Sequence, residues 1–316
     1  MKNKLFVLLA VIVVALSVPF VSGCGARAEF VLREDEQGNK YYVVSCAGYT
    51  SSFGGEYVIP ETYGEGEDKA PVTEIAMQGF AGTRITKITI PATVTKIGNA
   101  AFAHCNELTE VVFADGSAID EISRGCFGYC MFLKKINIPA TVRSIGILAF
   151  SECYRLDEVV LPAGLEQIKL KAFYNAGIPK VVIPDGVKEI GVAAFHGCVN
   201  MRLAAVGEGV KKISAGAFGY CTSLEKIYLP LSLEKIDGAH YTDGSEEIKY
   251  EDGTFYCGHA FHDDGALSDV YFAGVREEWE TLKKNIDNKP VTESGATMDN
   301  SALFKATLHY SSPFTE

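Results

Sequence analysis

The residues of this chain with chemistry in reach are its cysteines, histidines and carboxylates, and their spacing decides what that chemistry is. Cys105, Cys130, Cys153, Cys198 and Cys221 each lie three residues after a phenylalanine: Phe102, Phe127, Phe150, Phe195 and Phe218. Recurrence at one offset from one landmark marks a packing position, because a free Cys behaves as a small hydrophobe. Ala176 takes the same place after Phe173, as a steric role allows. Disulfides are the alternative, since nine cysteines in an exported chain would otherwise suggest a framework. Cys46, Cys126 and Cys257 stand outside this ladder, and their state is open. His259, His262, Asp263 and Asp264 form an H-x-x-H-D-D run that can be drawn as metal ligands. His259, however, sits just before an Ala-Phe pair, with no second ligand cluster and no paired C-x-x-C, so neither a metal nor any cofactor is expected. His104 and His196 sit beside repeat landmarks and read as loop histidines. No Ser-His-Asp or Cys-His arrangement, phosphate loop or paired-acid constellation stands clear of the pattern; no catalytic residue is assigned, and the chain is not read as an enzyme.

The pattern that positions these residues is a repeat. Phe80, Phe102, Phe127, Phe150, Phe173, Phe195 and Phe218 are spaced 22, 25, 23, 23, 22 and 23 residues apart, and an isoleucine column from Ile75 to Ile213 runs five residues ahead of them. A third column, Ile90, Phe113, Ile138, Leu161, Ile183, Val206 and Leu229, is followed by proline in five of seven units. The unit reads L-x-x-I-x-I-P, V-x-x-I-G, A-F-x-x-C. In I-x-I alternate residues take opposite sides of a strand, so Ile136 and Ile138 point inward while Lys135 and Asn137 point outward; the proline ends the strand without wasting a ladder donor. One coil cannot bury its own apolar face, so stability requires stacked neighbours.

The unit LKKINIPATVRSIGILAFSEC resembles the BspA-type leucine-rich repeat, and the resemblance runs from about Thr73 to Trp279. It implies a right-handed leucine-rich repeat solenoid, curved and β-rich with short helical or 3-10 turns, α/β horseshoe-like and capped at both ends. It also implies a binding scaffold of bacterial and some protist cell surfaces, with fibronectin or fibrinogen attachment and co-aggregation proposed for some members. No catalytic motif comes with it.

At the start of the chain Lys2 and Lys4 precede an uncharged apolar run from Leu5 to Val21, then Ser22, Gly23 and Cys24, an export signal in outline. V-S-G-C resembles a bacterial lipobox, which implies lipidation of Cys24; a plainly cleaved signal and an uncleaved anchor are the alternatives. The expected location is the bacterial cell surface, through a lipid anchor in the membrane. Removing residues 1–23 takes away two lysines and no acid, leaving 27 bases against 40 acids, a formal charge of −13. That balance argues against nucleic acid as a ligand.

The outward strand positions are the candidate binding surface. One column, Lys87, Glu110, Lys135, Glu158, Lys180, Leu203, Lys226 and Asp269, mostly alternates in sign and reads first as a register-setting ladder. The other, Thr89, Val112, Asn137, Val160, Val182, Ala205, Tyr228 and Tyr271, is apolar for a solvent-facing stripe and suggests a contact surface, with Tyr228 and Tyr271 as anchors. The competing account is that β-branched residues merely suit a strand. Ile236 is followed by the matching Phe261 only 25 residues later, so a loop is inserted, and insertions in solenoids often carry binding. The organisation expected is a signal peptide (1–23), a cap with a β-hairpin around Gly38-Asn39 (24–72), repeats (73–266, insertion 237–260) and a capping unit with a tail (267–316), in which Trp279 on a helix Glu277 to Lys284 plugs the last coil. Pro290 to Asn300 reads as a polar loop and Ala302 to Tyr310 as an edge strand. The function expected is non-catalytic recognition of a protein or glycoprotein, host matrix or another microbe's surface, by a monomer through its concave strand face; glycan capture is the alternative.

Overall fold

The structure is a computed structural model that describes residues 27–47, 50–238, 240–242, 255–257, 259–289, 291–293, 296–312 and 314. Cys24 and the acidic stretch Asp243 to Asp252 lie outside the described residues. Each coil has three sides, and each side is built by one of the sequence columns. The first carries the main strands, Arg84–Ile90, Glu110–Phe113, Lys135–Ile136 and Glu158–Val159, then Lys180–Ile183, Leu203–Val206, Lys226–Leu229 and Asp269–Phe272, each set stacked in parallel and in register. A turn follows the strand, a carbonyl accepting from the amide three residues on: Pro91, directly after Ile90, from Val94 at 3.1 Å and Pro184, directly after Ile183, from Val187 at 3.2 Å.

The second side is a ladder of two-residue strands formed by the isoleucine column. Glu121–Ile122, Ser144–Ile145, Gln167–Ile168, Glu189–Ile190, Lys212–Ile213 and Lys235–Ile236 make one continuous parallel sheet. On the third side short hydrogen-bonded turns point each phenylalanine inward. Phe80, Phe102, Phe127, Phe150, Phe173, Phe195, Phe218 and Phe261 are fully buried and stack face to face, with successive centroids 5.1–5.5 Å apart. Phe261 holds this spacing despite the insertion before it. Burial of each ring is worth about 1.5–3 kcal/mol, and this spine is the centre of the core.

Two residues in the left-handed region bracket each stacked phenylalanine from Phe80 to Phe218, two before and two after it, among them Ala100 and His104, Gly125 and Tyr129, Leu148 and Glu152, and Lys171 and Asn175, these eight with φ of 54–63°. These reversals bring the backbone round within four residues. Most are not glycine, so each costs about 1 kcal/mol. The turns are paid back by coil-to-coil bonds, such as Phe127 N–H to Ala149 O at 2.8 Å and Phe150 N–H to Ala172 O at 2.7 Å.

At the start, Arg27–Glu34 and Lys40–Ala47 form an antiparallel hairpin. Asp35 Oδ1 holds its turn by accepting from the Gln37 and Asn39 amides, and Gly38 supplies a φ of 84°. Its second strand pairs in parallel with Ala70–Ile75, which pairs with Lys96–Ile97; Gly54–Val58 pairs with Arg84–Ile90 on the main face. At the far end, helix Arg276–Lys283 lays Trp279 against Phe272, 5.4 Å between centroids. Two sequence expectations change here. Residues 291–293 and 296–298 pair as a short antiparallel ribbon rather than a plain loop. Ser301–Lys305 is a helix, so the final strand is only Thr307–Tyr310, parallel to Asp269–Phe272. His240–Thr242 and Phe255–Cys257 of the insertion also pair antiparallel. Among the described residues no helix is long and apolar enough to cross a membrane.

Candidate binding face

The strand columns fall where alternation puts them. Lys87 lies opposite Glu110, Glu110 opposite Lys135 and Lys135 opposite Glu158. Lys87 and Glu110 pair at 2.8 Å and Lys135 and Glu158 at 3.4 Å; exposed pairs of this kind contribute little to stability and mainly set register.

The main sheet then breaks. Strands 54–58 to 158–159 form one five-stranded sheet and strands 180–183 to 307–310 another, and no ladder joins Glu158–Val159 to Lys180–Ile183 among the described residues. One residue at the break lacks the donor that its counterparts use. In neighbouring coils the amide just before the strand donates to the preceding coil: Lys134 to Thr109 O, Asp157 to Lys134 O, Arg202 to Pro179 O and Glu225 to Arg202 O, at 2.9–3.2 Å. Pro179 occupies that place in its own coil and has no N–H to give.

A groove of about 1060 Å³ lies over this break. Its lining gathers six of the sequence candidates: Lys135, Asn137, Glu158, Val160, Lys180 and Val182. Val160 is 80% exposed, while Ile138 and Val159, inward by alternation, are only partly buried beneath it. Val112, Lys226, Tyr228 and Tyr271 lie outside the groove. Asn137 is committed to its neighbour: its Nδ2 donates to Phe113 O at 3.0 Å and its Oδ1 accepts from Phe113 N at 2.9 Å, so the amide acts as a clasp between coils. Tyr228, Tyr271 and His309 form a continuous stack, 4.4 Å between successive rings, which leaves mainly ring edges to solvent. His309 Nε2 lies 2.7 Å from Asp269 Oδ1, and this bond holds the Asp269 carboxyl below its usual range. Ala205, nominally outward, is buried.

A lining residue from outside the coils completes the groove. Phe314, beyond the last strand, reaches back over the face, with Lys180 Nζ 5.1 Å from its ring centroid and the Tyr228 ring 5.1 Å away at 67°.

The cysteine ladder is a ladder of thiols. Cys105, Cys130, Cys153, Cys198 and Cys221 are free and buried, and each Sγ donates to the carbonyl of the phenylalanine one coil back, at 3.1–3.2 Å. Burial pushes the Cys153 and Cys221 thiols up, away from the reactive thiolate. Cys126 is buried in the small-residue column beside Ala101 and Ala149. Cys46 is half-buried; burial raises its thiol to about 11.

Thr83 and Asp264 occupy the ladder's position at its two ends. Thr83 Oγ1 bonds Phe80 O at 2.8 Å, and Asp264 Oδ1 accepts from Cys221 N at 2.9 Å. Asp264 is 1% exposed with Oδ2 unpartnered, and desolvation raises its carboxyl well above the usual range. His259 and His262 are buried as well, and burial lowers both imidazoles. His196 is lowered to about 3, by burial first and then by His262 and Lys171. Among the described residues no three His, Cys, Asp or Glu side chains are grouped to hold a cation.

The family model for the BspA type leucine rich repeat region matches residues 73–202 and 120–246, in six copies. The chain belongs to the BspA-type leucine-rich repeat family. Solved structures agree on the fold. A leucine-rich repeat protein from Bacteroides ovatus is 23% identical with a TM-score of 0.58, over 81% of this chain and 71% of that one. The leucine-rich repeat protein of T. pallidum is 28% identical with a TM-score of 0.53, over 62% of this chain and 87% of that one. No curated protein matches the chain.

Proposed function

We propose that this chain is a non-catalytic, surface-anchored lipoprotein that recognises a protein or glycoprotein partner through its main strand face, at the groove over the sheet break. The observation that carries this reading is the exposure of Val160 and the partial exposure of Ile138 and Val159 beneath it. Other coils bury the inward positions, as at Val111, Phe113, Val181 and Ile183, and apolar surface left open beside paired charges suits a partner's apolar side chains. Lipidation at Cys24 would hold the solenoid at the cell surface, with the acidic overall charge facing a partner that is not a nucleic acid.

The test is binding of the chain from residue 25 onward to a panel of host matrix proteins, microbial cells and polysaccharides, beside a Val160→Lys variant. Saturable protein binding that drops at least ten-fold in the variant supports the reading. Equal binding by both removes the groove from the function.

Glycan capture draws on a different observation, the exposed aromatics of the turn side. Tyr129 is 42% exposed and stacks on His104 at 4.7 Å; Tyr154 is 49% exposed and bonds Glu152. Tyr129 is held there in left-handed backbone that glycine would adopt at less cost. Polysaccharide binding lost in Tyr129→Ala/Tyr154→Ala, with the Val160→Lys variant unaffected, would favour this reading instead.

A further inference from the structure

The chain's own Phe314 lies in the groove lining. We propose that the groove is a seat for an extended peptide segment with an aromatic anchor, and that Phe314 is a tethered competitor for that seat. The proposal rests on the groove being the recognition site and adds what it recognises.

The path of the chain supports it. After Thr307–Tyr310 closes the main sheet, Ser311 takes a left-handed φ of 51°. Its amide donates to Gly274 O at 2.9 Å, and the Ser312 amide donates to Phe272 O at 3.2 Å. This reversal sends the chain back over the strands it has just completed, and Phe314 lands between Tyr228 and Lys180. The ring is met by an ammonium within cation–π range, about 6 Å or less, and by the edge of an aromatic ring in the favoured crossed geometry. Neither contact is needed to close the last coil, which Trp279 and strand 307–310 already cover.

Size argues for more than one side chain. A groove of 1060 Å³ far exceeds a phenylalanine ring and extends from Phe314 across the coils of Lys180, Glu158 and Lys135. Coils about 4.8 Å apart make this the length of about three extended residues. Beyond the aromatic seat the segment would meet Val182 and Val160, then the Lys135–Glu158 pair, which offers a donor and an acceptor to a peptide backbone. Because a tethered competitor acts at high effective concentration, removing Phe314 should raise affinity for any ligand of this kind.

The experiment uses the peptide of residues 309–316, fluorescently labelled, added to the full chain and to a Phe314→Ala variant. Phe314→Ala should bind the peptide at least ten-fold more tightly than the parent, with the melting temperature unchanged. The same peptide carrying Ala at the phenylalanine, or Val160→Lys added to the Phe314→Ala chain, should remove the binding. No binding by Phe314→Ala, or binding indifferent to both changes, overturns the proposal and leaves Phe314 as surface packing. Partner binding that depends on Val160 while the peptide fails would sink this inference and leave the recognition reading standing. Peptide binding with no Val160-dependent partner in the panel would do the reverse.

Discussion

Between residues 145 and 190 the same coils are joined on two sides and parted on the third. The second-side ladder runs from Ile145 through Ile168 to Ile190 without interruption, and the phenylalanine stack holds 5.1 Å between Phe150 and Phe173. On the main face the ladder between the same two coils is missing. A solenoid distributes its cohesion over three sides, so one can open, here beside Pro179, while the other two keep the coil in line. Scaffold and site are thereby separated within one repeat.

That contrast can be broken most severely at the spine. Phe150→Ala empties a fully buried position and should cost about 3–5 kcal/mol in denaturant unfolding, whereas Val160→Lys, on the opened side, should stay within about 0.5 kcal/mol. A comparable loss from both would mean that the break is structural rather than free surface.

The next effect lies where the thiol ladder ends. Asp264 has a raised folded value, so the folded chain keeps a proton that the unfolded chain releases above pH 3.8. Stability from this group is full below that pH and falls as pH rises, by about 1.4 kcal/mol per pH unit, until the folded value is passed. Against Asp264→Asn, the parent should therefore lose ground steadily from pH 4 upward. A constant difference in melting between the two across that range would contradict the buried, protonated carboxyl.

Pro179→Ala sharpens the comparison directly, because it restores the missing donor. A recovered hydrogen bond of about 0.5–1.5 kcal/mol is offset by about 0.4–1 kcal/mol of added chain freedom in the unfolded state, so stability should barely move. The residue 179 amide should instead become protected in hydrogen exchange, and partner affinity should fall as the groove closes. An unprotected amide would show that something other than the proline parts the strands. The smallest effect is on the turn side: Ala100→Gly, at φ 55°, should gain about 0.5 kcal/mol, while neighbouring Ala101→Gly in the buried small-residue column should lose stability.

Most of the solenoid was legible because its cause is periodic. Phenylalanine, isoleucine and strand columns recur at fixed offsets, and so does the thiol position, even to Phe261 beyond the insertion. What escaped was aperiodic or carried by residues that lack a sequence signature. Pro179 is one substitution in a variable column, and its meaning depends on a donor that only the stacked neighbours define. The left-handed turns escaped because Leu148, Lys171 and Tyr129 are not residues that announce positive φ. Asn137 was read as an outward ligand, since alternation gives a direction but not the Phe113 backbone waiting beside it. Asp264 looked like part of a metal run; its place three residues after Phe261 marks it instead as the last member of the thiol column. Phe314 could not be seen at all, because its contacts come from strands 86 and 134 residues earlier.

The thiol ladder also has a direction. Each cysteine-bearing coil donates backward to the preceding phenylalanine carbonyl, with a hydroxyl at Thr83 opening the series, a carboxyl at Asp264 closing it, and Ala176 leaving one coil without a donor. The cysteine-bearing coils between those two are alike in what they accept and what they present. The molecule is thus a ruler with fixed ends and a countable middle: a duplicated copy of residues 131–153 would slot in behind Cys153 with both of its junctions already matched. Lengthening the recognition face then requires no redesign of either cap, and reach can vary among such chains by whole coils while the terminal chemistry stays the same.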